Sequence, residues 1–175
     1  MEYTKKKVSK DLLDYFYKEG LDKYFDENIF KNIEYEYKYN NNFGVDPNNK
    51  IPFPIDLKDL VNIHKIIRKR KVFTILEYGL GYSTIIMADA IHKNKLEFET
   101  QSEDIKNSIR CNNKFELYAI DDCEFWIKEL QNKINKLNIN EYIHIHYSKC
   151  KIGTFNDRIC HFYVNHPNIV PDFIY

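Results

Sequence analysis

Two glycines separated by one residue, Gly79 and Gly81, stand between an apolar run and a run with helical spacing in the stretch ILEYGLGYSTIIMADAI, residues 75–91. A tight turn from a strand into a helix lets the backbone approach a ligand where no Cβ atom intervenes, and glycine provides that freedom. The free N–H groups at the start of the helix then face polar or anionic ligand atoms. The sequence therefore predicts a ligand-binding turn at these glycines.

Acidic residues lie where they would complete such a site. Glu77 comes two residues before the first glycine, and Asp121 and Asp122 directly follow the apolar run FELYAI. A carboxylate at the end of the next strand can accept hydrogen bonds from both hydroxyls of a ribose. We therefore predict that a nucleotide-containing cofactor binds between the glycines and Asp121.

The elements around these residues alternate between strand and helix. Short apolar runs predict strands, and apolar residues at helical spacing predict helices, in the order strand 72–78, helix 83–93, strand 115–120, helix 124–137, strand 142–147 and strand 171–175. This alternation is typical of a parallel sheet with crossover helices. The predicted fold class is α/β, with a mostly parallel, Rossmann-like sheet in the order 3-2-1-4 and flanking helices.

Two segments interrupt the alternation, residues 95–113 and residues 148–170. In the first of them, Thr100 and Glu103 have the spacing of a capping box, which predicts a short extra helix. Because of this segment, Glu77 and Asp121 lie 44 positions apart. The related dinucleotide-binding fold places the equivalent residues about 20 positions apart.

The first part of the chain reads as a separate section. We expect residues 1–55 to form a helical and irregular N-terminal section, and residues 56–175 to form the Rossmann-like domain. Within them, the sequence predicts a helix over 9–19 that starts at Ser9, an extended segment over 35–39, a loop over 40–54 and a helix over 56–70. The cations RKRK at the end of the last helix suit a helix C-terminus.

Three stretches together resemble the motifs of class I S-adenosylmethionine (SAM)-dependent methyltransferases. LEYGLGYST resembles their first motif, an acid followed by GxG at the end of the first strand. AIDDCEFW resembles the second motif, in which an acid ends the second strand, and PDFIY resembles the start of the fourth strand. The resemblance covers roughly residues 56–175. It implies a methyltransferase that uses SAM and acts on a small-molecule or sugar-like acceptor.

The resemblance also implies roles for individual residues. Gly79 and Gly81 would pass under the methionine and ribose part of SAM, and Glu77 would lie near the methionine amino group. Asp121 would bind the ribose hydroxyls, and Asp122 would lie near the adenine.

Ser83 would cap the helix and contact the methionine carboxylate. No catalytic residue is assigned, because positioning of an acceptor against an already activated methyl group supplies much of the rate.

The chain ends at Tyr175, within the fourth predicted strand. We therefore expect a sheet that is incomplete at its C-terminus and keeps only the cofactor-binding part, so that activity of this chain alone is in question. A non-catalytic binding module is one alternative. A nucleotide-dependent oxidoreductase is another, although Thr84 stands where a dinucleotide site has its third glycine. An exposed sheet edge predicts a second copy or a partner chain that covers it.

Composition bounds the remaining functions. The 26 basic and 26 acidic residues of the 175-residue chain balance, so no nucleic-acid partner is expected. We expect no membrane partner and a cytoplasmic location, because there is no signal peptide, no run of about 20 apolar residues and no disulfide framework among the four cysteines.

The histidines do not predict a metal site. His64 lies on an apolar helix stripe and is expected in the core or at its boundary. His144 and His146 share one strand face without a third ligand nearby in sequence, so we expect sheet packing there and no metal. His161 and His166 are candidate bases that nothing in the sequence ties to a substrate.

Overall fold

The computed structural model describes residues 4–26, 35–38 and 55–175. The chain divides into two units, Met1–Ile63 and His64–Tyr175, and the division falls inside a helix, Leu57–Arg70. The predicted domain boundary after residue 55 stays a prediction. The predicted loop over residues 40–54 lies outside the described residues.

The described part of the first unit contains two paired strands and a helix. Strand β1 (Thr4–Lys7) pairs antiparallel with β2 (Tyr35–Lys38), and helix α1 spans Lys10–Lys18. The predicted helix and extended segment are therefore present. Ser9 is the N-cap of α1, but its side chain makes no capping hydrogen bond. Strand β1 was not predicted, because its sequence TKKK has no apolar alternation.

The remaining elements follow the predicted alternation closely. In chain order they are α2 (Leu57–Arg70), β3 (Thr74–Tyr78), α3 (Tyr82–Glu99), α4 (Glu103–Ser108), β4 (Glu116–Asp121), α5 (Glu124–Ile134), β5 (Ile143–Tyr147), β6 (Cys150–Phe155), β7 (Arg158–Tyr163) and β8 (Phe173–Ile174). Asp56 begins α2, because its carboxylate accepts the N–H groups of residues 58 and 59.

Four of these strands form a parallel sheet in the order β5-β4-β3-β8. In order of appearance this is 3-2-1-4, which confirms the predicted order and the α/β, Rossmann-like fold class. Strand β3 pairs with β4 in a continuous register from Thr74 opposite Glu116 to Tyr78 opposite Ile120. The carboxyl ends of the two strands therefore lie at the same edge of the sheet.

Burial of apolar side chains holds the sheet and helix α3 together. Strand β3 is buried from Thr74 to Glu77, and the apolar residues of α3 from Ile85 to Ile91 are all buried. Each fully buried isoleucine contributes roughly 1.5–3 kcal/mol relative to an exposed one. No helix of the described residues is long and apolar enough to span a membrane.

The first interrupting segment is only partly irregular. Helix α3 continues to Glu99 and so includes the beginning of that segment. The hydroxyl of Thr100 donates to the carbonyl of Glu97 at the end of α3, and Ser102 is the N-cap of α4. The predicted extra helix is present, but the predicted capping box from Thr100 to Glu103 is wrong, because Thr100 ends one helix instead of beginning the next.

The second interrupting segment contains an antiparallel hairpin, β6 paired with β7. The two residues between the strands, Asn156 and Asp157, have φ values of 48° and 62°. Two consecutive residues with positive φ are typical of the type I′ turn, which suits the twist of a hairpin, and Asn and Asp tolerate this conformation best after glycine. This dipeptide was the sequence signal for the hairpin, which the sequence analysis did not predict within residues 148–170.

A buried polar cluster joins α2 to α3. The ring nitrogen Nε2 of His64 lies 3.0 Å from Oδ2 of Asp89, and Nζ of Lys93 lies 2.7 Å from the same oxygen. His64 and Asp89 are fully buried, as predicted for His64. A carboxylate in this position is stable only while its polar partners remain.

We expect Asp89→Ala to lower the free energy of unfolding by about 3–5 kcal/mol, because it leaves His64 and Lys93 without their shared acceptor. Urea denaturation at pH 7 measures this change. The exposed Glu103→Ala is the control and should change stability by less than about 0.5 kcal/mol. A loss of similar size in both variants would contradict the prediction.

Candidate functional site

The glycine turn, residues 79–81, and the acid that ends β4 lie together at the carboxyl edge of the sheet. The N–H of Gly79 donates to the carbonyl of Ile120 over 2.8 Å, directly before Asp121. The backbone N–H of Leu80, inside the turn, hydrogen-bonds to the carboxylate of Asp121. Two segments that are more than 40 positions apart therefore form one surface, as the sequence predicts.

Open space lies above the glycine turn. Apart from its two chain neighbours, a Cβ atom built on Gly79 or on Gly81 would meet no atom of the described residues within 4 Å. Gly79 has a φ of 95°, which other residues rarely adopt, whereas Gly81 has extended backbone with a φ of 172°. Gly79 is thus required by the backbone of the turn, whereas a side chain at Gly81 would meet no neighbouring atom of the described residues.

Helix α3 begins directly after the turn, and Thr84 closes its first turn. The N–H of Gly81 donates to Oγ1 of Thr84 over 3.0 Å. The capping role predicted for Ser83 is wrong, because Gly81 is the N-cap and the hydroxyl of Ser83 donates to Oε1 of Glu77 over 2.5 Å. Ser83 therefore orients the acid instead of the helix backbone.

Glu77 is a buried acid with one unpaired oxygen. Its side chain is 1% exposed, and its Oε2 atom has no hydrogen-bond partner in the part of the chain that the structure describes. Burial raises the pKa of Glu77 to about 7, against the lowering effect of hydrogen bonds from Ser83 and Thr84, and the charge of Asp121 adds to the rise. Near neutral pH the carboxyl is therefore poised between its neutral and charged forms, and a cation beside Oε2 would favour the charged form.

Asp121 is half-buried and held in place by backbone N–H groups. Its Oδ1 accepts the N–H of Cys123 over 2.7 Å. Burial raises the pKa of Asp121, these backbone hydrogen bonds lower it, and the neighbouring charge of Asp122 raises it again. A carboxylate has about four acceptor positions, so this group can still bind ligand hydroxyls. Asp122 itself is exposed, and the thiol of Cys150 hydrogen-bonds to it.

The hairpin brings residues to this edge that the sequence did not assign. The ring of Tyr163, on β7, stacks on that of Tyr78 with centroids 5.6 Å apart and planes 9° apart. Burial and then the charge of Asp121 raise the pKa of Tyr163 to about 12, so its hydroxyl lies near the acid. The hydroxyl of Tyr78 lies 3.4 Å from Nδ1 of His166. Of the two candidate bases, the structure places His166, and not the hairpin residue His161, against Tyr78.

The other predicted histidine pair lies on β5. His144 and His146 share one face, as predicted, and both rings stack against Tyr118 with centroids 4.7 and 5.7 Å away. Burial lowers the pKa of His146. Among the described residues, no group of three or more His, Cys, Asp or Glu side chains is arranged to hold a metal ion.

Comparison with known proteins gives little beyond the fold. No protein-family model matches the chain, and no curated protein matches it. A crystal structure from Staphylococcus aureus, described as a "putative caffeoyl-CoA O-methyltransferase", is similar with a TM-score of 0.41 and 20% identity. The match covers 78% of this chain and 51% of that one, so the chain spans about half the length of that structure. A likeness this distant carries no argument about function.

The raised pKa of Glu77 predicts how stability depends on pH. The unfolded chain ionises this group near 4.5 and the folded chain near 7, so the protonated form favours folding. Its contribution is complete below pH 4.5 and is lost as the pH rises through 7, by about 3 kcal/mol in total. We expect Glu77→Gln to remove this dependence, so the variant gains stability over the parent between pH 5 and pH 8. Urea denaturation at several pH values tests this, and parallel curves for the two proteins would contradict it.

Proposed function

We propose that this chain is a SAM-dependent methyltransferase that acts on a small-molecule or sugar-like acceptor. Two observations carry the proposal: the buried Oε2 atom of Glu77 has no hydrogen-bond partner among the described residues, and open space lies above the glycine turn that begins two residues later. A buried acid without a partner is costly, and a ligand ammonium group would remove that cost. The methionine part of SAM carries such a group.

The residues at the carboxyl edge fit the rest of this cofactor. Gly79 and Gly81 leave room for the methionine and ribose, and Asp121 is held so that its remaining acceptor positions can take the ribose hydroxyls. Asp122 is placed on the adenine side of the site in this proposal, and Glu77 takes the amino group. When bound, SAM supplies a methyl group that is already activated by a positive sulfur.

The same edge offers groups for the acceptor. Tyr78 and Tyr163 present a stacked aromatic surface next to the glycine turn, and His166 contacts Tyr78. In this proposal the aromatic surface excludes water and orients the acceptor. In the tautomer in which Nδ1 of His166 donates to the hydroxyl of Tyr78, Nε2 is the nitrogen that takes a proton from an acceptor hydroxyl.

We expect Gly81→Ala to reduce SAM affinity at least tenfold while the thermal midpoint changes by less than about 2 °C. The added Cβ enters open space and the backbone is extended, so the fold tolerates it, whereas a ligand in that space does not. Isothermal titration calorimetry with SAM and with S-adenosylhomocysteine, beside a thermal melt, measures both quantities.

Two further variants accompany this titration. Asp121→Ala should also abolish binding, and Asp104→Ala, an exposed acid on α4, should not change it. A folded parent that binds neither ligand would remove the proposed function. Equal binding by the parent and Gly81→Ala would place any SAM site elsewhere.

Binding of SAM should release protons near pH 7. The ammonium group needs a charged Glu77, whose carboxyl is about half protonated at that pH, so the affinity should fall as the pH drops from 7 to 5. Calorimetry in two buffers with different ionisation enthalpies measures the proton release. Glu77→Gln is the matched variant. In it, both the proton release and the fall in SAM affinity between pH 7 and pH 5 should disappear. A parent that binds without proton exchange would show that the ammonium group does not face Glu77.

We further propose that a second copy or a partner chain covers the exposed apolar residues around β8 and the hairpin. Val170, Ile159, Ile152 and Ile174 are between 60% and 88% exposed, and such residues at an open strand edge favour association. This surface supports the alternative of a non-catalytic binding module. A folded chain that binds no SAM and elutes as a dimer would favour that alternative.

Binding of NADH without binding of SAM would favour the oxidoreductase. Free thiols at all four cysteines support the cytoplasmic location that we propose.

A further inference from the structure

A cavity lies at the opposite edge of the sheet from the glycine turn. Its volume is about 300 Å³, and its walls include Phe73 and Phe115, which directly precede β3 and β4. Phe73 and Gly79, at the two ends of β3, are separated by about 20 Å at 3.3 Å per residue. A volume of this size is at the lower end of the range for pockets that bind small molecules. The cavity is therefore distinct from the proposed cofactor site.

Aromatic rings form the inner wall of this cavity. The ring centroids of Phe73 and Phe98 are 5.4 Å apart, those of Phe73 and Phe115 are 5.0 Å apart, and those of Phe98 and Phe115 are 5.4 Å apart. Phe73 and Phe98 are perpendicular to each other, and both are only partly buried. Three mutually inclined rings offer both edges and faces to a planar aromatic ligand, which is the arrangement that aromatic pairs prefer.

Two residues that line the cavity have strained backbone. Lys71 has a φ of 54° and Phe115 a φ of 63°. At Lys71 the conformation ends α2, where glycine is the usual residue. At Phe115 a bulky residue in this region is a true outlier that costs roughly 1–3 kcal/mol. Neighbouring hydrogen bonds hold it, from Thr74 Oγ1 to the carbonyl of Asn113 and from the N–H of Glu116 to the carbonyl of Phe73.

Lys71 and Glu97 are the charged residues that line the cavity, and two further cations and one further carboxylate contact other lining residues. Arg68 and Lys71 both form ion pairs with the single carboxylate of Glu97, and they lower its pKa. Lys114 adds a further cation, with its Nζ 5.4 Å from the centroid of the Phe98 ring. Asp172 lies at the same edge, but its carboxylate accepts two backbone N–H groups at the start of β3. The mouth therefore favours an anionic group on a ligand.

The insertion between the two acids of the cofactor site builds most of this cavity. Glu97, Phe98, Gln101, Ile105 and Ile109 all come from residues 95–113 and line it. This is the segment that doubles the spacing between Glu77 and Asp121, and the proposed cofactor site uses none of it. The insertion thus forms a cavity that is not part of the proposed cofactor site.

We propose that this cavity binds a small planar aromatic carboxylate. The aromatic walls take the ring, and the carboxylate lies at the mouth near Lys71 and Lys114. The site does not depend on the proposed SAM site, because the sheet separates the two. It gives the insertion and the strained backbone of Phe115 a role in ligand binding.

Naphthalene-2-carboxylate is the probe that tests this site, with 2-naphthylmethylammonium as its cationic counterpart. We expect saturable one-to-one binding of the carboxylate to the full chain, with methyl NMR shifts at Ile105 and Ile109 and none at Ile152 and Ile159 of the hairpin. The cation should bind at least tenfold more weakly. Binding of the carboxylate should be unchanged in Gly81→Ala, which separates this result from the fate of the proposed function.

Two variants test the residues of the site, and the thermal melt of each confirms folding. Gln101→Trp places an exposed ring over the cavity and should reduce carboxylate binding at least tenfold. Lys71→Gly removes a cation and relieves a positive φ, so it should weaken binding about fivefold without loss of stability. The control Lys69→Ala removes a neighbouring exposed cation that does not line the cavity, and it should change neither carboxylate binding nor stability. The site would be overturned if the methyl groups of Ile105 and Ile109 show no saturable shift up to roughly 5 mM probe, a concentration of the order of weak binding constants. Equal affinity for the cation would overturn the ligand class.

Discussion

The parallel register between β3 and β4 is the constraint on which the rest of this unit depends. Because Thr74 lies opposite Glu116 and Tyr78 opposite Ile120, whatever follows one strand meets whatever follows the other. At the carboxyl edge this brings the glycine turn to Asp121, and at the amino edge it brings Phe73 to Phe115. A shift of two residues in this pairing would separate both sets. The backbone hydrogen bonds of the ladder and the buried apolar residues of β3 prevent such a shift.

Burial of Glu77 connects the stability of this sheet to its proposed function. The carboxyl lies in the core at the end of a buried strand, where its charged form is destabilised, and hydrogen bonds from Ser83 and Thr84 offset part of that cost. A protein selected for stability alone would have an apolar residue at such a position. A cation that binds beside Glu77 would stabilise the charged carboxylate and so offset part of the destabilisation caused by its burial. The glycine turn leaves the space in which this can happen.

Local signals in the sequence predicted the parts of the site that depend on few contacts. Gly79 and Asp121 were identified because a strand-to-helix turn and a strand-ending acid depend on short stretches, and the strand order followed from their alternation. The length of α3 and the capping role of Ser83 were predicted wrongly. In both cases a polar side chain has two available hydrogen-bond partners, and the surrounding fold decides between them. The hydroxyl of Thr100 binds the carbonyl of Glu97 at the end of α3, and the hydroxyl of Ser83 binds Glu77.

The sequence by itself therefore determined the α/β class, the order of the strands and the identity of the glycine turn and its acids. Only the tertiary structure decided that Oε2 of Glu77 has no hydrogen-bond partner among the described residues, that Tyr163 and His166 contact Tyr78, and that the insertion lines a cavity with Phe73 and Phe115. The physical reason is the range of the interactions. Strand and turn propensities act within a few residues, whereas desolvation, ring stacking and cavity shape depend on residues that are 20 to 90 positions apart in the chain.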